Sequence, residues 1–189
     1  MVRSITFLVI WAAFQAAAFA GELDLTPQES TYLAEATPVP CVAFRNGTAS
    51  VSYSPPGAWK VSGGGRKVAV MPPNAVQAGA TIQVIPVSET APVTEASLKA
   101  YAEFAAGLLP REVSKVKVMS LEIAPMRICN HAMADVTLSY SLFGQTFTTN
   151  VLVLPYDKQE LAFTMTARSA DFTPLARTFR GSLFSIQGL

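Results

Sequence analysis

Two runs of residues joined by a short turn most constrain how this chain can fold. Apolar and polar side chains alternate over residues 134–142, and residues 146–154 continue as a second extended run after Phe143-Gly144-Gln145. A period of two residues is that of a β-strand, and so short a connection is that of a hairpin. The chain is therefore predicted to contain an antiparallel sheet.

Further strands are predicted on both sides of this hairpin, at residues 49–53, 59–61, 67–71, 81–87, 115–119 and 160–168. Proline- and glycine-rich turns separate several of them, at residues 54–57, 63–65 and 72–74. Pro86 falls where the apolar phase of its strand changes, which predicts a bulge or a strand end. Asn46-Gly47-Thr48 matches a glycosylation acceptor, but Asn-Gly is also a hairpin dipeptide, the interpretation favoured here.

Two segments have helical periodicity instead. Residues 94–109 place four apolar side chains on one stripe of a helix: Leu98, Tyr101, Ala105, Leu108. Residues 171–186 also form such a stripe, with Pro174 in the first turn: Leu175, Phe179, Leu183, Ile186. An order of strands, helix, strands, helix predicts an α+β fold, an antiparallel β-sheet flanked by helices. A cystatin-like or NTF2-like sheet wrapped around the first helix is the alternative.

The N-terminal segment has the features of an export signal. Arg3 precedes an apolar run over residues 5–14, and Ala18-Phe19-Ala20 is a small-x-small cleavage pattern. We expect cleavage between Ala20 and Gly21 and a periplasmic or secreted protein; a retained membrane anchor is the alternative. The predicted organisation is a signal peptide over 1–20, an arm or short helix over 21–40, and a single α+β domain over 41–189.

The charge balance excludes one class of partner. Without Arg3, 13 basic residues balance 13 acidic ones, and no basic cluster is interleaved with aromatic residues. A neutral chain has no broad field to attract a polyanion, so no nucleic-acid partner is expected. The remaining partners are an unidentified protein or small ligand. Membrane contact is expected only through the N-terminal segment if it stays uncleaved.

Cys41 and Cys129 are the two cysteines of the chain. An even count in an oxidising compartment permits one disulfide between them, with two buried thiols that never meet as the alternative. Their spacing is wrong for a redox pair or a zinc knuckle, which need two cysteines close together.

No residue pattern predicts catalysis, a cofactor or a metal. His131, the only histidine, is in phase with Asp135, Thr137 and Ser139, and we expect it on a solvent-facing polar row. A metal site needs three or four converging ligands, and carboxylates are sparse. Gly63-Gly64-Gly65-Arg66-Lys67 lacks the spacing of a phosphate loop and precedes a strand, so it is predicted to be a hairpin tip.

The stretch Tyr53-Ser54-Pro55-Pro56-Gly57-Ala58-Trp59 resembles the opening hairpin of PsbP-like proteins. The similarity extends over residues 51–186, with a strand ending at Met71-Pro72-Pro73 and a final helix ending in Phe184-Ser185-Ile186. The same α/β/α sandwich occurs in Mog-type proteins and in small exported bacterial members. The resemblance implies a non-enzymatic binding or assembly module, and its Pro-Gly-Trp turn implies a structural role.

The function predicted from the sequence is therefore an exported, non-catalytic binding or assembly module of the cell envelope. A secreted hydrolase built from scattered residues is the alternative, and it would place His131 or a carboxylate in a deep pocket with a perturbed pKa. A small-ligand-binding cystatin-like or NTF2-like domain is a third possibility.

Overall fold

The computed structural model describes residues 23–35 and 37–189. The predicted signal peptide and its cleavage site at Ala20 and Gly21 lie outside these residues. The described strands are β1 (Leu23–Ala34), β2 (Thr37–Asn46), β3 (Ala49–Tyr53), β4 (Lys60–Gly64), β5 (Lys67–Met71), β6 (Gly79–Pro86), β7 (Ser114–Ile123), β8 (Ala134–Leu142), β9 (Gln145–Tyr156) and β10 (Gln159–Arg168). The α-helices are α1 (Leu98–Gly107), which follows a 3-10 turn at Glu95–Ser97, and α2 (Phe172–Leu183).

The strands form two antiparallel sheets. A large sheet has the order β4-β5-β6-β10-β9-β8-β7, and a small sheet has the order β1-β2-β3. Strands β9 and β10 occupy the middle of the large sheet, where both faces are covered. This explains why Val151, Leu152, Val153 and Leu154 are all buried in an unbroken apolar run.

The two helices pack on opposite faces of the large sheet. Ala162 of β10 packs in a cluster with α1, whereas its neighbours Leu161 and Phe163 pack in a second cluster with α2 and the small sheet. Neighbouring side chains of a strand point to opposite faces, so the large sheet lies between α1 on one side and α2 plus the small sheet on the other. The α+β prediction is confirmed. No helix of the described residues is both long enough and apolar enough to cross a bilayer.

The predicted hairpins are confirmed in position and in turn chemistry. Phe143 and Gly144 connect β8 to β9 with positive φ at both residues, as a type I′ turn requires. Gly47 has φ +60 in the two-residue turn between β2 and β3, which confirms the hairpin interpretation of Asn46-Gly47. Gly65 has φ +62 in the turn between β4 and β5. Strand β6 ends at Pro86, as predicted.

The prediction for residues 21–40 is wrong where the structure describes them. Instead of a mobile arm or a helix, β1 and the first part of β2 form a hairpin, and Leu23 and Leu25 are buried in the main core. Thr26-Pro27-Gln28-Glu29 has the residues of a helix start, with a capping threonine, a proline at the first position and a glutamate three residues after the cap. The segment is nevertheless a strand, and β1 bonds to the body of the protein through Leu25 N–H, which donates to the carbonyl of Gly65. The domain therefore includes residues from Leu23 onwards.

The residues after α2 close the free edge of the small sheet. Ser52 and Gln187 exchange backbone hydrogen bonds of 3.0 and 3.1 Å across the outer edge of β3. Gly188 has φ +87, and a Cβ atom there would lie 2.5 Å from the carbonyl oxygen of Ser50. Only glycine allows the chain to approach β3 so closely.

Gly188→Ala is expected to lower the free energy of unfolding by about 2 kcal/mol, because it adds both backbone strain and a clash with rigid backbone. Urea unfolding measures this loss. Gly144→Ala is the matched control, since Gly144 has φ +78 but open space around a Cβ position. It is expected to show only the conformational part, about 1 kcal/mol. Equal losses of unfolding free energy in the two variants would mean that a clash with the Ser50 carbonyl does not destabilise Gly188→Ala.

Candidate functional site

An open cleft lies between the β1–β2 hairpin and the loop that leaves β3. Its volume is about 740 Å³. We call it the tryptophan cleft, and its lining residues come from three short segments: Glu29, Ser30, Thr31; Pro40, Cys41, Val42; Pro55, Pro56, Gly57, Ala58, Trp59. A volume of this size is that of a small-molecule or peptide pocket.

The loop wall of the cleft is held against α2. The rings of Trp59 and Phe179 lie parallel, with centroids 6.4 Å apart. Phe179 is fully buried, so this contact fixes the indole to the core of the protein. Within the loop, the N–H of Trp59 donates to the carbonyl of Pro56 at 3.0 Å. The structural role implied for the Pro-Gly-Trp turn therefore agrees with its position.

The start of the same loop is fixed by hydroxyl groups of α2 and the residues after it. Ser54 N–H donates to Ser185 Oγ at 2.8 Å, and Ser185 Oγ is 3.2 Å from the Ser54 carbonyl oxygen. Tyr53 Oη lies 2.9 Å from Ser182 Oγ. With both ends of the loop anchored, the wall of the cleft is preformed, and a ligand need not supply the free energy to order it.

The opposite wall is a two-stranded arm. Strand β3 pairs with β2 only from Val42 to Asn46, so the hairpin beyond Val42 has no third strand. We call residues 29–35 and 37–41 the arm. Leu33 near its tip is 74% exposed, and a two-stranded hairpin alone is marginally stable in water.

The two cysteines are not joined. Both are free thiols in the structure, with Cys41 buried beside the cleft and Cys129 exposed. Cys129 lies in a tight turn with φ +45, and its Sγ is 3.5 Å from the carbonyl oxygen of Ile186. The disulfide that the sequence permits is thus not formed here.

The prediction that His131 and Asp135 share a solvent-facing row is wrong. Residues 128–131 form a tight turn closed by a bridge between Ile128 and His131, and β8 begins only at Ala134. His131 is half-buried, with its ring edge-on to Tyr156 at a centroid distance of 5.7 Å. Asp135 is only 1% exposed. Neither residue lines the tryptophan cleft.

Asp135 belongs to a buried polar cluster that the sequence did not reveal. Arg180 Nη2 of α2 lies 2.8 Å from Asp135 Oδ2, and Asn150 Nδ2 donates to Asp135 Oδ1. Asn150 also donates to Thr137 Oγ1 at 3.1 Å. Each charged or amide group is therefore paired within the cluster, which joins α2 to β8 and β9. Hydrogen bonds and an ion pair of this kind satisfy the buried polar groups and support the fold.

A carboxyl with a raised pKa lies on the face of the large sheet that α1 covers. Burial raises the pKa of Glu160 above its usual range, and burial, followed by the nearby Glu160 charge, raises the pKa of Tyr101. They lie on the opposite face of the large sheet from Tyr156, the residue that the His131 ring contacts. Among the described residues, no group of three or more His, Cys, Asp or Glu side chains could hold a metal ion.

The fold and the cleft define an α+β protein of two antiparallel sheets, with an open cleft between the β1–β2 hairpin and the loop that leaves β3. No protein-family model matches the chain, and no curated protein matches it. Solved structures do resemble it. A Pseudomonas aeruginosa protein of unknown function, described as a candidate regulator, has a TM-score of 0.49 and 14% identity over 86% of this chain and 98% of its own.

Two further structures resemble the chain to a similar degree. LpqN of Mycobacterium tuberculosis, which is involved in cell envelope biogenesis, has a TM-score of 0.49 and 14% identity over 86% of this chain and 92% of its own. A Bacteroides thetaiotaomicron protein has a TM-score of 0.46 and 11% identity over 74% of this chain and 45% of its own. With such scores and identities, these similarities assign neither a family nor a function.

Proposed function

We propose that the protein is an exported, non-catalytic binding module of the cell envelope and that the tryptophan cleft is its ligand site. The observation that carries the proposal is the preformed loop wall, which places Trp59 beside an open cleft of about 740 Å³. Aromatic and proline side chains dominate this wall, and apolar lining with few polar groups is typical of ligand sites.

The position of the histidine also supports binding over catalysis. His131, the side chain that most often serves as a general base, does not line the cleft, and neither do Asp135 and Glu160. Glu29 is the single carboxylate among the residues that line the cleft, and Cys41 beside it is 7% exposed. Export is supported by the sequence of residues 1–21, with Arg3, the apolar run and the small-x-small pattern.

A PsbP-like α/β/α sandwich is the finer fold that we propose. The supporting observations are one helix on each face of an antiparallel sheet, and the Pro-Gly-Trp turn at the junction of two sheets. A cystatin-like or NTF2-like sheet would wrap around α1, whereas here α2 and the small sheet cover the opposite face.

Filling the cleft is expected to abolish ligand binding without unfolding the protein. Gly57 lies on the loop wall, and a Cβ atom there meets nothing within 4 Å. Gly57→Phe should therefore place a ring in the cleft. Binding is measured by backbone amide shifts in solution NMR during titration with a fragment library of small aromatic and aliphatic compounds.

We expect fragments to shift the amides of the cleft residues in the wild type and to lose at least tenfold in affinity in Gly57→Phe. Gly107→Phe is the matched control, because Gly107 also has open space around its Cβ position and lies at the end of α1. It should bind like the wild type. Fragments that cluster around His131 or Glu160, or that bind Gly57→Phe unchanged, would contradict the proposal.

A further inference from the structure

The two edges of the arm differ in what they can offer to an incoming strand. Asn46 and Ala49 close the two-residue turn between β2 and β3, so they form a hydrogen-bonded pair. Backbone groups alternate in direction along a strand, so those of every even-numbered residue of β2 point towards β3. Pro38 and Pro40 are even-numbered, so their backbone groups also point to the β3 side of β2, and β3 does not extend far enough to cover them.

Proline therefore blocks this edge. Pro38 and Pro40 have no N–H, so the open side of β2 presents carbonyl groups without the donors that a paired strand needs. Proline on an edge strand is a common protection against strand addition.

The outer edge of β1 lacks this protection. Ala34 pairs with Thr37 at the tip of the arm, so even-numbered residues of β1 bond to β2. The backbone N–H and C=O groups of Glu29, Thr31 and Leu33 consequently point away from β2. Strand β1 is the edge of its sheet, and no described strand pairs with this side of the arm. The arm residues of β1 contain no proline, no lysine and no register shift.

The open edge borders the tryptophan cleft. Glu29, Ser30 and Thr31 are consecutive lining residues, and neighbouring side chains of a strand point to opposite faces. Backbone atoms of β1 must therefore contribute to the wall. The cleft extends over the face of the hairpin from β2 to β1, so alternate side chains of a strand added beside β1 would lie on the face that forms the cleft.

The charge of the arm indicates which strand would fit. Glu29 and Glu35 are its charged residues, and it contains no basic one. Pairing with a second copy of the same edge would bring like charges together, whereas a basic segment would be attracted.

We propose that the outer edge of β1, at residues 29–33, binds an extended, basic peptide segment of a partner protein by antiparallel or parallel strand addition. This inference rests on the proposed function and specifies its ligand. Main-chain hydrogen bonds to Glu29, Thr31 and Leu33 would supply affinity, and the cleft would select alternate apolar side chains. Lysine or arginine in the peptide would pair with Glu29.

The test uses a phage-displayed library of random twelve-residue peptides selected on the purified protein. The selected sequences are expected to alternate apolar residues with polar ones and to contain Lys or Arg. Synthetic copies, measured by fluorescence anisotropy, are then methylated at one backbone nitrogen at a time. Methylation at alternate positions should weaken binding at least tenfold, while methylation at the positions between should leave it within about threefold.

Glu29→Lys should weaken binding of the same peptides at least tenfold, and Glu35→Lys is the matched control. Glu35 carries the same charge at the arm tip but does not line the cleft, so its replacement should have less than a threefold effect. Thr31→Pro, which removes one outward N–H, should also weaken binding.

Other outcomes would overturn the inference in distinguishable ways. A methylation scan without alternation excludes strand addition, and if Gly57→Phe still abolishes fragment binding, the cleft remains a ligand site. Failure to select any peptide, or selection of acidic ones, overturns the partner chemistry. A dimer in sedimentation equilibrium that Thr31→Pro dissociates would show that a second copy occupies the edge instead.

Discussion

Arg180→Met is expected to lower the free energy of unfolding by about 3 kcal/mol and the Tm by roughly 10 °C. Asp135 is 1% exposed, and its carboxylate is paired with Arg180 Nη2 at 2.8 Å. Removing the guanidinium leaves a buried negative charge with only the amide of Asn150 and no cation. Methionine retains much of the aliphatic volume of arginine, so the lost packing is small. Thermal and urea unfolding measure the effect.

The matched control is Arg177→Met on the same helix. Arg177 is exposed, and its substitution is expected to change stability by less than 0.5 kcal/mol. The double variant Asp135→Asn with Arg180→Met should be more stable than Arg180→Met alone, because a neutral amide at position 135 needs no cation. Equal losses of unfolding free energy for Arg177→Met and Arg180→Met would mean that the ion pair between Arg180 and Asp135 does not stabilise the protein.

Raising the pH from 9 to 12 is expected to lower the free energy of unfolding by about 2 kcal/mol through the ionisation of Tyr53. Burial raises the pKa of Tyr53 to about 12, although its hydrogen bond with Ser182 opposes the shift. In the unfolded chain the phenol ionises near pH 10. Between these values the unfolded state releases a proton that the folded state retains, so stability is fully present below pH 10 and falls as the pH rises towards 12.

Urea unfolding at pH 9, 10, 11 and 12 isolates this contribution when the wild type is compared with Tyr53→Phe. The variant should lose about 1 kcal/mol at pH 9, from the missing hydrogen bond, and should then fall less steeply with pH. Parallel curves for the wild type and Tyr53→Phe would show that Tyr53 is not the group responsible.

Local patterns were sufficient to predict most elements of the large sheet and both helices. The run at residues 134–142 is β8, and the apolar stripe through Leu98 and Tyr101 is the buried face of α1. In these segments the period of the side chains, the residues at the turns and the pattern of burial all indicate the same type of secondary structure. Sequence periodicity is reliable where one face of an element is consistently buried.

Strand β1 and the first part of β2 were mispredicted because the contacts that stabilise them are remote in sequence. Thr26-Pro27-Gln28-Glu29 has helix-start residues, but Leu23 and Leu25 are buried by strands that lie tens of residues later. Two prolines on β2 suggested a break in structure, whereas they occupy an exposed strand edge where proline is tolerated. The secondary structure of this segment depends on tertiary contacts, and these cannot be predicted from the residues of the segment alone.

The buried cluster around Asp135 could not be predicted for a similar reason. A polar row on a strand normally indicates a solvent-facing side, and nothing near Asp135 in the sequence reveals Arg180, 45 positions further along the chain. The tryptophan cleft was partly foreseeable, since the turn at residues 54–59 stood out. Its opposite wall lies on the hairpin that was predicted as an arm or helix.

The backbone pairing of Ser52 with Gln187 has a kinetic consequence. The small sheet contains residues from the first third of the chain, but its last edge is completed by the final few residues. The chain between Ser52 and Gln187 must close into a long loop before these hydrogen bonds form, and contacts between residues so distant in sequence slow folding. If the chain crosses a membrane unfolded, the outer edge of β3 would stay unpaired until the C-terminus emerges, and this delay in completing the small sheet would help to keep the polypeptide competent for translocation.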